Sequence, residues 1–121
     1  MSNTDHRETL TRALSLFQAK VNQHPRLRTL LQGWDRDIVI ECDDADVSQA
    51  LHVRRSLVAD VSEATSGADV TITMRGSHSV LVDVFEGRRS PATLFLDGDL
   101  QVFASDKDQV KLDAIALLLW D

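Results

Sequence analysis

The chain has 121 residues, 43% of them hydrophobic and 26% charged, with a formal net charge of −6. That length and mix predict a single domain spanning 1–121 and exclude wholesale disorder. The longest unbroken apolar run, Ala114–Trp120, falls far short of the ~20 residues of a membrane span, so no stable membrane insertion is expected. The acidic balance argues against nucleic acid as a partner and against standing attachment to an anionic membrane, because both require a basic face. The opening MSNTDHRETL has no apolar stretch of secretory type, which makes the cytoplasm the expected location. Residues 1–8 are expected to be disordered. The lone cysteine, Cys42, has no partner for a disulfide and alternates with Ile38 and Ile40, so it reads as a small buried hydrophobe.

From Thr4 to about Gln23, Leu10, Ala13, Leu14, Phe17 and Val21 recur at spacings of three and four, which predicts an amphipathic helix capped by Thr4 or Asp5. Pro25 breaks it. Leu27, Leu30, Leu31 and Trp34 make a short second stripe ending near Gly33. Asp37–Asp43 alternates as a strand with one wet face. The odd positions Leu51, Val53, Leu57, Ala59 and Val61 are apolar, and fourteen residues are too long for one strand, so two strands are expected to turn near Arg54–Ser56. Thr65–Ala68 reads as a further turn and Asp69–Met74 as a strand with Val70, Ile72 and Met74 on one side. Ser77 caps a helix that ends at Gly87, and Ser90-Pro91 opens a short helical turn ending at Gly98. Asp99–Ala104 is a strand with Leu100 and Val102 inward, and Ser105 or Asp106 caps a last helix, Asp106–Trp120.

Beyond residue 113 that helix is apolar at almost every position. It is therefore expected to be buried all round, to cover something apolar, or to meet another subunit.

No nucleophile elbow, zinc-protease motif, paired-cysteine motif or phosphate-binding glycine loop occurs in the sequence. The four histidines, His6, His24, His52 and His78, lack metal-ligand spacing. The acidic clusters Asp35–Asp46 and Asp97, Asp99, Asp106 and Asp108 do not fit a calcium loop and read as turn and cap residues with solvated carboxylates. No catalytic residue, metal or cofactor is assigned, and the protein is not expected to be an enzyme.

Three stretches together resemble the sterol carrier protein 2 (SCP-2) domain family. They are Ala68-Asp-Val-Thr-Ile-Thr-Met74, the helix ending Phe85-Glu-Gly87, and Ala92-Thr-Leu-Phe-Leu-Asp-Gly98-Asp-Leu-Gln-Val102 followed by a helix carrying Val110-Lys-Leu112. The resemblance covers nearly the whole chain. It implies an α+β fold, a five-stranded, mainly antiparallel sheet with helices packed on one face, and a hydrophobic tunnel between the layers. It also implies non-catalytic carriage of an apolar ligand, whether a sterol-like lipid, a fatty acid or another long-chain molecule. The implied lining is Ile72, Met74, Leu81, Phe85, Phe95, Leu100 and Val102, closed by Leu112, Ile115 and Leu119. Ala104 stands where the family's strand ends in glycine, and Asp99 where it carries lysine. The latter, with a sequence that ends at Trp120-Asp121, counts against a phosphate-bearing acyl-CoA. The alternative is a solid-core module that forms a homodimer or docks on a partner lipid-metabolism enzyme through the C-terminal helix.

Overall fold

A computed structural model describes residues 3–63 and 72–120. Helix α1 (Asn3–Asn22) buries Leu10, Ala13, Leu14, Phe17 and Val21, the stripe its spacing predicts. His24 caps α2 (Pro25–Leu30), whose first residue is the proline that could not continue α1. Strands β1 (Arg36–Cys42), β2 (Ser48–Arg54) and β3 (Leu57–Glu63) form an antiparallel meander. Strand β4 (Ile72–Gly76) then joins β1 in parallel, and β5 (Leu100–Phe103) adds to β4 antiparallel, giving the order β3-β2-β1-β4-β5. Between β4 and β5 lie α3 (His78–Phe85) and α4 (Pro91–Asp97), and α5 (Asp106–Trp120) follows β5. The fold is α+β, with a mixed, mostly antiparallel five-stranded sheet and helices against it.

The caps from α3 onward follow the sequence, but Thr4 and Asp5, expected to cap the first helix, lie inside α1, and residues 3–8, expected to be disordered, are helical. Ser77 accepts from Val80 N at 3.2 Å, and Ser105 accepts from Asp108 N at 3.2 Å, which selects Ser105 over Asp106 as the last cap. Ser90 occupies the cap position of α4 without a side-chain bond, so Pro91 alone starts that helix. Gly98 ends it at φ 83°, in the left-handed region.

The hairpin between β2 and β3 turns on Arg55 and Ser56, at φ 54° and 66°. Both are left-handed, as a two-residue hairpin turn requires, although neither is glycine or asparagine. The expected odd-number alternation fails in β3. An irregularity between His52 and Val53 pairs Val53 with Val58 but Leu51 with Val61. Val58 and Val61 therefore face the core, while Ala59 is exposed. Strand β3 is a sheet edge, and α1 covers part of it: Gln18 and Asn22 both donate to Val58 O, and Val58 N donates to Asn22 Oδ1 at 2.8 Å. The turn expected at Thr65–Ala68 and the start of the strand expected at Asp69–Met74 lie outside the described residues.

Candidate functional site: an apolar cavity under the last helix

Between the sheet and the helices lies a cavity of about 520 Å³. The interior is not filled by its own side chains, and a volume of this size falls within the ~300–1,000 Å³ of small-molecule sites. Ile38, Leu51, Val53, Val58, Met74, Leu100 and Val102 of the sheet form its floor. Phe17 and Val21 of α1, and Leu27, Leu31 and Trp34 in and after α2, form one side. Phe95 and Leu96 of α4 with Leu112, Ile115, Leu117 and Trp120 of α5 form the opposite wall. Leu96 is 84% exposed and Leu117 64%, so these two mark the mouth.

Helix α5 is held at both ends. At its start Asp108 is buried, and its Oδ1 accepts from Trp34 Nε1 at 2.8 Å and from Arg36 Nε at 3.1 Å. Lys111 Nζ donates to Leu30 O at 3.0 Å. At its end Trp120 Nε1 donates to Val84 O at 3.0 Å, and its ring stacks on Phe17, which meets Phe85 edge-on. Burial pushes the Asp108 carboxyl toward its neutral form, but hydrogen bonds from Trp34 and Arg36, the Arg36 charge and the Ser105 contact outweigh it and hold the pKa below the ordinary carboxylate range. The expectation that every acidic residue here is a solvated turn or cap fails at Asp108. No sequence signal reveals it, because Trp34 and Asp108 are 74 positions apart.

Of the lining residues named from sequence, Met74, Phe85, Phe95, Leu100, Val102, Leu112 and Ile115 are on the wall. Ile72 and Leu81 are fully buried in the core and leave no face to the cavity, and Leu119 packs against the core away from it. Sequence reasoning missed the contribution of α1, α2, β1, β2 and β3, whose apolar stripes look the same whether they meet other side chains or a void. Trp120 was missed too. Of the three alternatives stated for α5, burial all round is the one its exposure rules out. Val110 and Leu117 are exposed and Ala114, Ile115, Ala116, Leu118, Leu119 and Trp120 only half-buried, because the helix lies over a space it does not fill.

The opposite sheet face carries a second cluster. His52 Nδ1 lies 2.8 Å from Asp37 Oδ1, and Nε2 lies 2.8 Å from Ser62 Oγ. The order acid, imidazole, hydroxyl is that of a nucleophile triad. However, Asp37 Oδ1 also accepts from Arg54 at 2.7 Å, and none of the three residues lines the cavity. The hydrogen bond from His52, then that from Arg54 with the guanidinium charge, outweigh burial and hold the Asp37 pKa low. The arrangement satisfies a cross-strand histidine on a wet face. Cys42 is buried, and desolvation followed by repulsion from Asp44, Asp43 and Glu41 pushes its thiol up to about 11, leaving it unreactive. Among the described residues no cluster of histidine, cysteine and carboxylate could hold a metal ion, and no helix is long and apolar enough to cross a membrane.

A mixed, mostly antiparallel sheet with helices packed against it and an apolar hollow between the layers places the chain in the α+β class. Comparison with solved structures makes the class specific: the chain has the SCP-2 fold. It is similar to a sterol carrier protein domain of Helicoverpa armigera, with a TM-score of 0.72 at 12% identity over 92% of this chain and 87% of that one. It is also similar to the UbiJ-SCP2 ubiquinone synthesis protein, with a TM-score of 0.64 at 20% identity over 87% of this chain and 90% of that one. The sec-alkylsulfatase Pisa1 from Pseudomonas sp. matches with a TM-score of 0.57 at 16% identity over 78% of this chain but 14% of that one, so the same fold also occurs as a small part of an enzyme. No family model matches the sequence, and no curated protein matches it.

Proposed function

We propose that this protein binds and carries an apolar small molecule in the cavity beneath α5, without performing chemistry on it. The observation that carries the reading is a 520 Å³ space whose wall is apolar except for Ser90, Gln109 and Asp113. Each methylene moved there from water is worth ~0.8 kcal/mol, so a long chain or a ring system needs no reactive residue to be held. The sterol-like, fatty-acid and other long-chain possibilities all fit such a wall. Native mass spectrometry of the purified protein, lipid extraction, and titration with the neutral lipophile Nile Red test it. A co-purifying lipid or micromolar Nile Red binding supports the reading. Neither appearing would overturn it.

A second reading, a surface that docks on a second copy or on a partner enzyme, is favoured by exposed Phe95, Leu96, Val110 and Leu117 on α4 and α5. Apolar patches of several hundred Å² mark such faces. Light scattering over a hundredfold concentration range decides the self-association version: a monomer throughout eliminates it.

A further inference from the structure

We propose that a second, polar cleft, on another face of α2 from the apolar cavity, binds a phosphate-class oxyanion. The proposal does not depend on the carrier reading. The cleft has a volume of about 290 Å³ and is bounded by Pro25, Arg28, Thr29 and Gln32 in and after α2 and by Arg55 and Ser56 of the β2–β3 turn. None of these residues is acidic. The spacing along α2 separates the two spaces: Leu27 and Leu31 line the cavity, while Arg28 and Gln32, each one position further on, border the cleft.

Charge sets this place apart. The chain carries −6 overall, yet neither Thr9–Trp34 nor Val53–Ala59, the stretches that build the cleft, contains an aspartate or glutamate. Elsewhere the arginines hold carboxylates: Arg7 holds Glu63, Arg36 holds Asp108, Arg54 holds Asp37, Arg75 holds Glu41, and Arg88 holds Asp83 and Glu86. Arg28 and Arg55 hold none among the described residues, and they border the same cleft. A guanidinium presents its N–H donors in a planar fork that matches phosphate oxygens. Ser56 adds a hydroxyl, whereas the Thr29 hydroxyl is already given to Pro25 O at 3.3 Å. The turn supplies an independent sign. Arg55 and Ser56 sit at φ 54° and 66°, where asparagine and glycine would be less strained. The strained pair puts a cation and a hydroxyl on the cleft, which Asn-Gly would not. Both arginines are exposed, so water and salt screen the site and binding belongs in the millimolar range.

The test is titration of the full chain with inorganic phosphate at pH 8, at ionic strength held constant with sodium chloride, followed by amide NMR shifts. The amides of Arg28, Thr29, Arg55 and Ser56 should move and saturate. Arg28→Gln and Arg55→Gln should each weaken binding at least about fivefold, and Arg89→Gln, an exposed arginine outside the cleft, should change it less than about twofold. Arg55→Asn combined with Ser56→Gly, which keeps the turn, should fold and lose the binding. Flotation with phosphatidylcholine vesicles, with and without phosphatidic acid, separates the sources. Flotation that needs phosphatidic acid and both arginines assigns a lipid head group; saturable phosphate binding without flotation assigns a soluble phosphate. The proposal is overturned if phosphate shifts stay linear and no vesicle floats, or if binding is unchanged in both glutamine variants.

Discussion

Asp108 shows how one residue can organise a helix. A buried carboxylate is destabilising unless it is paired and hydrogen-bonded, and this one has an indole N–H, a guanidinium and a serine hydroxyl cap around it. Its folded pKa lies below the usual carboxylate value of about 3.9. The sign follows directly. The stabilisation is complete above about pH 4 and drains away as pH falls through the lower folded value. Asp108→Asn keeps an acceptor for Trp34 but removes the charge facing Arg36, and a loss of about 1–3 kcal/mol at pH 7 is expected. Urea unfolding at pH 7 and at pH 3 measures this. The gap between the two proteins should shrink in acid, and equal stability at pH 7 would refute the role assigned to the pair.

Elements were legible where their signals are local. The stripe of α1, the break at Pro25, the Ser77 cap and the glycine at 98 all act within a few residues of themselves, and each stands where its chemistry put it. The β2–β3 turn was placed correctly without any turn-forming residue, from strand length alone. The inward positions of β3 were only partly anticipated: the two-residue turn sets Val58 opposite Val53, and the irregularity beyond it returns Val61 to the inner face while leaving Ala59 outside. Arg55 and Ser56 sit at positive φ, where an L side chain with a Cβ is strained. Replacing the pair by Asn-Gly is expected to raise stability by about 1 kcal/mol, measured as a shift in the urea midpoint at unchanged m-value. A lower midpoint would mean that the Arg55 or Ser56 side chain makes a contribution not visible in the turn.

At the scale of the molecule, three separated motifs were enough to give the SCP-2 fold, while the cavity's extent was not legible. A residue beside a void and a residue beside another residue have the same hydrophobicity and the same spacing. Only the juxtaposition of five helices and five strands separates them. Met74, on the floor and half-buried, gives a direct probe. Met74→Trp is expected to occupy the space, weaken Nile Red binding at least tenfold and cost no more than ~1–3 kcal/mol. Unchanged affinity in a folded variant would locate the dye elsewhere.

The fastening of Trp34 to Asp108 spans 74 positions. Translation proceeds at ~5–20 residues per second, and every strand and the four preceding helices leave the ribosome before that clasp can close. For those seconds the oily chamber stands roofless, so a nascent chain meets its surroundings as a sticky open bowl. The apolar floor is then open from above without any part of the finished fold having to move.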